Sequence, residues 1–415
     1  MSEGQRVGGA ASREREEWKQ TTLGDVAELV RGVTYKSSEL GKAGEGVPFL
    51  SLKSVTPRGG FRGVYKTFTG TVKHDRVLAS GDLVIAVTEQ TRDYTLIGAP
   101  ALVPEALDGT GATFSMDLVK VKLTSDVVST AFLNCVLQGP KARRFMAEHA
   151  PGMKVLHLRT REVPSFEFLL PPLHTQKQIV EVIGAVDNKI TALDAEANVL
   201  DGLLRGRKEE QFKHYAATGT TLPIGEVLDE VKRPISIDPE AEYRQIGIRS
   251  HGRGLFTKEA VTGKSLGSKK VFWVEPGDLV INIVFAWEGA VAIVPPEIEG
   301  YCGSHRFPTY RRLDGGDVEF FRLFFSTKTG TQLLASCSPG GAGRNRTLSR
   351  KRLMQSPIGM PSAQEQERAV DELQAVEASV AALRVEADRL RAVRAALLTG
   401  LLDRSIQLAD AEREV

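Results

Sequence analysis

The sequence predicts an α+β fold in which two pseudo-repeated globular domains are joined by two long antiparallel coiled-coil helices. Three observations predict it. Segments of the first half recur in order in the second half, each copy begins with short apolar runs separated by turn residues, and each copy ends in a heptad pattern. We expect the chain to divide into 1–17, a disordered tail; 18–170, the first globular domain; 171–220, the central helix; 221–360, the second globular domain; 361–404, the distal helix; and 405–415, a C-terminal tail.

Composition limits the class of protein. The chain has 415 residues and a formal net charge of only +2, so charge over the whole chain does not indicate a nucleic-acid binder. It has no apolar run near the roughly 18 residues that span a bilayer, and its first residues are polar, unlike a secretory signal. The three cysteines have no CxxC spacing. These features predict a cytoplasmic protein without a membrane segment, a metal site or disulfides.

The internal repeat is visible in three motifs. Residues 23–26 (LGDV) recur as 224–227 (IGEV), 81–85 (GDLVI) as 277–281 (GDLVI), and 171–178 (PPLHTQKQ) more loosely as 361–368 (PSAQEQER). Apolar runs at 83–87, 118–121 and 279–284, bounded by turn residues, predict strands. The preserved order predicts a duplicated unit of about 200 residues.

The two helices have matching heptad faces. The apolar positions, spaced alternately by four and three residues, are Ile179, Ile183, Val186, Ile190, Leu193, Leu200 and Leu204 in the first helix and Leu373, Val376, Val380, Leu383 and Leu390 in the second. Alanines 197, 369 and 387 complete the series, and Arg394 stands at its last position. Each helix needs a partner along its length, and the other helix is the simplest one. We expect the Arg394 end to splay or to meet a partner's acidic side chain. The alternative is a generic coiled-coil spacer.

Charge is divided between the globular and the helical parts. Residues 1–170 and 221–360 have net charges of +3 and +4, whereas 171–220 and 361–415 have −1 and −4. Basic globular parts suit phosphate contacts, while arginine and asparagine can also read base edges. The candidate DNA contacts are Arg58, Arg62, Lys66, Lys73, Arg92, Lys154, Arg159, Arg249, Arg253, Lys269, Lys270, Arg344, Asn345 and Arg346. For each of them, solvated surface charge is the alternative. Trp287 stays open as a further candidate.

Catalytic motifs are missing from the sequence. The segment 263–265 (GKS) ends like a phosphate loop but has Lys258 where the first glycine should stand. HExxH, GxSxG and a strand followed by GxGxxG are also missing, and the histidines are scattered. A binding scaffold is therefore favoured over an enzyme.

Taken together, these motifs resemble the specificity subunit of a Type I restriction–modification system over about residues 18–404. The most specific segment is 170–179 (LPPLHTQKQI), and 285–290 (FAWEGA) with 307–308 (FP) resembles one subfamily. The resemblance implies two target-recognition domains that each read one half of a split, asymmetric site in double-stranded DNA, and two conserved spacer helices that set the half-site separation. It implies two modification subunits that bring S-adenosylmethionine and methylate adenine, and restriction subunits that translocate and cleave DNA with ATP. The specificity subunit itself is expected to be non-catalytic and to bind no cofactor.

Two alternatives remain. One is a coiled-coil adaptor with two protein-binding domains, which the basic charge of both repeats disfavours. The other is a specificity module of another phage-defence complex, which the sequence does not separate from the first interpretation.

Overall fold

The structure is a computed structural model that describes residues 18–41, 44–90, 95–340 and 346–408. The predicted tail 1–17 and residues 409–415 lie outside the described residues. The chain folds into two compact units, the first from Met1–Ala192 with Ala387–Val415 and the second from Leu193–Glu386.

The first unit combines short strands with a few helices. Its strands are β1 (Lys19–Thr22), β2 (Ala27–Arg31), β3 (Leu40–Gly41), β4 (Val47–Leu50), β5 (Lys66–Phe68), β6 (Leu83–Ala86), β7 (Thr88–Glu89), β8 (Pro100–Leu102), β9 (Thr113–Phe114), β10 (Leu118–Leu123), β11 (Leu156–His157) and β12 (Glu167–Leu170). Its helices are α1 (Leu23–Val26), α2 (Thr130–Gln138), α3 (Pro140–Glu148) and α4 (Leu173–Thr218), of which α4 continues into the second unit.

The main sheet of the first unit has the strand order β2-β10-β6-β8, with antiparallel neighbours throughout. Strand β6, within the predicted strand 83–87, is buried along its whole length and pairs on both sides, which accounts for its uninterrupted apolar sequence. A second sheet has the order β3-β5-β4-β9, and β1 pairs with β12 next to the start of α4.

The second unit has its own set of strands and helices. Its strands are β13 (Thr220–Pro223), β14 (Leu228–Val231), β15 (Glu242–Tyr243), β16 (Ile246–Ile248), β17 (Leu255–Thr257), β18 (Val261–Thr262), β19 (Val271–Trp273), β20 (Leu279–Ile281), β21 (Val291–Ile293), β22 (Cys302–Ser304), β23 (Thr309–Arg312) and β24 (Pro357–Met360). Its helices are α5 (Gly263–Leu266), α6 (Glu319–Phe325), α7 (Lys328–Ser336), α8 (Arg350–Gln355) and α9 (Ala363–Leu402), of which α9 continues into the first unit.

The duplication is visible in the topology. The main sheet of the second unit has the order β14-β23-β20-β21, in which β20 takes the place that β6 has in the first unit. Strands β13 and β24 pair as β1 and β12 do. The predicted strand 279–284 ends already at Ile281, because Asn282 Oδ1 accepts the N–H of Val284 at 3.1 Å and turns the chain.

The aspartate of each GDLVI motif is a structural residue. Asp82 accepts the Ala79 N–H at 2.8 Å and pairs with Lys120 at 2.5 Å. The equivalent Asp278 is fully buried, accepts the Glu275 N–H at 2.9 Å, and pairs with Arg233 at 2.7 Å and Arg311 at 2.6 Å. In each unit this carboxylate closes its own turn and ties the central strand to a basic side chain of another segment.

The glutamine of each Pro-Gln motif joins a long helix to its unit. Buried Gln176 donates to the carbonyl of Pro171 at 2.8 Å and to that of Val127 at 2.7 Å, and accepts the Ser129 N–H at 2.9 Å. Gln366 likewise donates to the Pro361 carbonyl at 2.8 Å, and its oxygen accepts from Arg312 at 2.7 Å. The repeated spacing of proline and glutamine thus has a repeated bonding role.

The heptad residues lie in the cores of the two units. Those that are buried are Ile179, Ile183, Val186, Ile190, Leu193, Leu204, Leu373 and Val380; those that are half-buried are Leu200, Val376, Leu383 and Leu390. In the second unit Asp201 pairs with Arg384 at 3.5 Å and Arg207 with Glu372 at 3.0 Å. Residue numbers rise along α4 as they fall along α9, so the helices run antiparallel there.

Of the two outcomes expected for Arg394, the structure shows the contact with an acidic side chain. Its acidic partner is Asp187 of the same chain, whose carboxylate it contacts through Nε at 2.5 Å and Nη2 at 2.8 Å. Arg394 Nη2 also donates to Gln138 at 2.7 Å. A charge at this heptad position is tolerated because the facing helix supplies the compensating charge within the first unit.

Candidate nucleic-acid interface

Three chain segments converge on one side of the second unit. They are the β16–β17 turn, the short 3-10 helix Ala286–Glu288 with Gly289, and the residues from Arg346 onward. The β16–β17 turn (residues 249–254) is held by the N–H of His251, which donates to the Glu288 carbonyl at 2.8 Å, and by that of Gly252, which donates to the Gly289 carbonyl at 3.0 Å. The Glu288 carboxylate accepts the Ser250 hydroxyl at 2.6 Å. The third segment begins at Arg346 and is tied to the residues just after β20 by the Leu348 N–H, which donates to the Ile283 carbonyl at 2.8 Å.

These segments present cationic and aromatic side chains together. The Arg249 guanidinium lies 5.1 Å from the centre of the Phe256 ring, and that of Arg346 lies 5.4 Å from the centre of the Trp287 ring. Such contacts hold a guanidinium in place without neutralising it. We call the group Arg249, His251, Arg253, Trp287 and Arg346 the second-unit loop surface.

His251 has an unusual backbone at this surface. Its φ is +63°, in the left-handed region that favours glycine, and its side chain is exposed. Gly252, with φ +64°, follows it. The histidine is therefore retained although this backbone conformation costs free energy. Residues with such strained backbones are concentrated at binding sites.

The first unit has a related turn with Arg58 and Arg62, both exposed. The Thr56 hydroxyl donates to the Gly59 carbonyl at 2.6 Å, and Arg143 donates to the Pro57 carbonyl at 3.0 Å, which fixes the turn. The segment that contains exposed Lys154 is anchored by the Leu158 N–H, which donates to the Val87 carbonyl at 2.8 Å, as Leu348 is anchored in the second unit.

In the described part of the chain, the predicted DNA contacts are among the cations that have no carboxylate partner. Among the described residues, no carboxylate forms an ion pair with Arg58, Arg62, Lys66, Lys73, Lys154, Arg159, Arg249, Arg253, Lys269, Lys270 or Arg346. All of these are exposed except the half-buried Arg346. Arg233, Arg311 and Arg322, by contrast, are bound to internal carboxylates. Unpaired cations are free to replace the counterions of phosphate.

The structure gathers only some of these residues. It brings Arg249, Arg253 and Arg346 together, whereas Lys66 lies in β5, Lys73 precedes a short 3-10 helix, and Lys269 and Lys270 precede β19. Arg92, Arg344 and Asn345 lie outside the described residues.

No sequence motif singled out His251 or Phe256, although the glycine-rich stretch 250–254 (SHGRG) carries a turn signal.

Two findings on the described part of the chain concern possible catalytic groups. That part has no cluster of histidine, cysteine or carboxylate side chains that could hold a metal ion. Burial raises the pKa of the Cys135 thiol to about 11 and also raises the pKa of the Cys302 thiol, so neither is a thiolate nucleophile at neutral pH. No described helix has the length and apolar character needed to cross a bilayer.

Comparisons with known proteins agree with a recognition role. Residues 15–200 match the family model described as Type I restriction modification DNA specificity domain. No curated protein matches the chain. Among solved structures, the chain is similar to the S subunit of a Type-I restriction-modification system from M. genitalium, with 13% identity, a TM-score of 0.56, and coverage of 94% of this chain and 97% of that one.

A second solved structure is described as the structural basis underlying complex assembly and conformational transition of the type I R-M system. It is 17% identical, with a TM-score of 0.57 and coverage of 93% of this chain and 97% of that one. These two similarities extend over nearly the whole chain and confirm the predicted α+β fold.

Proposed function

We propose that the chain is a Type I restriction–modification DNA specificity subunit and, from this premise, that each of its two units reads one half of a bipartite, asymmetric DNA site. The observation that carries the proposal is that exposed arginines without a carboxylate partner among the described residues lie on a turn of each unit, Arg58 and Arg62 in the first and Arg249 and Arg253 in the second. Cations that are already neutralised by internal carboxylates contribute little to phosphate binding, whereas these are available to it.

We propose that α4 and α9 set the distance between the half-sites. Helix α4 has 46 residues and α9 has 40, and each begins in one unit and ends in the other. At 1.5 Å per residue, they are about 69 and 60 Å long. Ion pairs and buried heptad residues hold the helices together within each unit, which supports a role in selecting a spacer length.

The partners follow from the same premise. Two modification subunits dock on the chain and methylate adenine with S-adenosylmethionine, and restriction subunits add ATP-dependent translocation and cleavage. The chain itself is non-catalytic and works in the cytoplasm. The acidic helical segments favour protein rather than DNA as their neighbour, since residues 171–220 and 361–415 have net charges of −1 and −4.

The decisive experiment is co-expression of the chain with a modification subunit from the same genome, followed by mapping of methylated adenines in the host DNA. We expect methylation at one split, asymmetric sequence that disappears when the chain is omitted. Methylation without sequence preference, or a complex that binds no DNA, would exclude this function, and the latter result would favour the protein adaptor.

The role of the exposed arginines as phosphate contacts is tested by the salt dependence of DNA binding. Replacing both Arg58 and Arg62 with alanine should reduce the slope of log K against log [salt] by about 2, at about 0.9 for each phosphate that is no longer neutralised. Lys122→Ala is the matched control, because this exposed lysine already pairs with Glu28 at 2.7 Å. An unchanged slope in the double variant would remove this turn from the interface.

A further inference from the structure

We propose that Trp287 is a positioning residue that holds Arg346 ready to read a guanine in the half-site of the second unit. The proposal rests on the function proposed above and deepens it, because it assigns one side chain to one base type. It concerns a pair that no sequence motif connects, since Trp287 and Arg346 are 59 positions apart.

Contacts with the protein backbone hold the Trp287 indole in place independently of Arg346. Trp287 lies in the short 3-10 helix Ala286–Glu288, which ends at Gly289 with φ +71°. Its Nε1–H donates to the Val284 carbonyl at 3.2 Å, and the ring is half-buried. One edge of the ring is thus tied to the protein backbone, and the face remains available to the Arg346 guanidinium 5.4 Å away.

The contact leaves the charge of Arg346 intact. Within the described residues no carboxylate pairs with this guanidinium, although the protein uses carboxylates to fix Arg233, Arg311 and Arg322. A carboxylate partner would occupy the N–H donors and cancel the charge. An aromatic face restricts the orientation of the guanidinium but leaves its in-plane donors free.

The surroundings suit a base edge. The loop next to Trp287 carries Arg249, exposed His251 and Arg253, and Oε2 of the nearby Glu288 accepts the Ser250 hydroxyl at 2.6 Å. Several cations therefore lie near Arg346, and they favour a base edge that presents acceptors. Guanine offers two adjacent acceptors, O6 and N7, which match the parallel donors of a guanidinium.

The test uses the complex of the full chain with its modification subunits and the site mapped by methylation. Binding is measured to duplexes in which each position of that site is replaced in turn. We expect Arg346→Ala to remove a preference of about 10-fold or more for G·C at one position of one half-site and to leave the other half unchanged. Arg346→Lys, which keeps the charge, should weaken the same preference because it lacks the planar fork.

Trp287 is tested by its effect on that same position. Trp287→Leu should weaken the G·C preference about 3- to 10-fold, and Trp287→Phe should restore most of it because the aromatic face returns. A change in thermal stability alone would not alter the binding preference at only one position of the DNA site. Lys264→Ala, which removes an exposed charge on α5 of the same unit, is the control and should leave every positional preference unchanged.

Three outcomes would overturn the inference while the proposed function stands. Arg346→Ala could weaken binding equally at all positions, which would make Arg346 a phosphate contact. The preference that disappears could be for a pair other than G·C. Trp287→Leu could leave the Arg346-dependent preference unchanged. Failure to map any sequence-specific methylation would instead reject the proposed function itself.

Discussion

Arg394 of the second long helix and Asp187 of the first form a bidentate ion pair within the first unit, with N–O distances of 2.5 and 2.8 Å. The arginine side chain is only 17% exposed, whereas that of the aspartate is 46% exposed. The pair has a counterpart in the second unit, where Glu377 of α9 contacts Lys208 of α4 and Arg322 of α6. Asp187 and Glu377 are 190 positions apart, the offset of the Pro-Gln motif.

Breaking the first-unit pair from one side should destabilise the protein. Arg394→Ala leaves a half-buried carboxylate without its partner, and we expect a loss of about 1–2 kcal/mol in urea unfolding. The double variant Arg394→Leu with Asp187→Ala removes both charges and restores the heptad, so its stability should return to within about 1 kcal/mol of the native chain. Equal stability of Arg394→Ala and the native chain would show that the pair contributes nothing.

Stability should fall in acid because of Glu377. Burial alone would raise the pKa of this carboxyl, but the hydrogen bonds and charges of Arg322 and Lys208 outweigh burial and hold its pKa below the usual 4.5. Its stabilising contribution is therefore complete above about pH 4.5 and is lost as the pH falls through the lower folded value. In denaturation measured against pH, Glu377→Gln should be less stable than the native chain at pH 7, and the difference should shrink below pH 4.5. Glu372→Gln, in the exposed pair with Arg207, is the control and should show little effect.

The buried glutamine of the first Pro-Gln motif should be costly to remove. Gln176→Ala leaves the Ser129 N–H and two carbonyls without partners, and we expect a loss of about 2–3 kcal/mol in thermal or urea unfolding. Gln178→Ala, two residues further along the helix and half-buried, should cost less than about 0.5 kcal/mol. Comparable losses in both variants would contradict the role assigned to Gln176.

His251 should lower the stability of the folded protein through its left-handed backbone while its side chain strengthens DNA binding. His251→Gly relieves the left-handed φ of +63°, so thermal unfolding should show unchanged or higher stability, by up to about 1 kcal/mol. The same variant should bind cognate DNA more weakly, because it removes an exposed side chain of the second-unit loop surface. His251→Asn tolerates the backbone conformation and separates the two effects. Unchanged DNA affinity in His251→Gly would remove the imidazole from the interface.

Helix length should control the half-site spacing. Inserting seven residues, one heptad, into α4 and seven into the facing part of α9 keeps the apolar register and adds about 10.5 Å of helix. We expect the mapped methylation sites to gain up to about three base pairs between the half-sites, at about 3.4 Å per pair. Variants that methylate the original spacing would show that the helices do not act as a ruler.

The sequence by itself determined the features that depend on local periodicity and on repetition. The heptads at 179–204 and 369–390 predicted the two long helices, and the apolar run at 83–87 predicted a strand, because side-chain period and apolar runs are properties of neighbouring residues. The repeated motifs predicted two equivalent units, and these have the same order of strands in their main sheets.

Tertiary structure alone decided which distant side chains meet. Asp187 and Arg394 are 207 positions apart, and Trp287 and Arg346 are 59 apart, so no local pattern could pair them. The sequence likewise showed every arginine and lysine as a cation, whereas packing neutralised Arg233 with buried Asp278 and left Arg249 without a carboxylate among the described residues. Charge is set by residue type, but its availability to DNA depends on which carboxylates the fold places within a few ångströms of it.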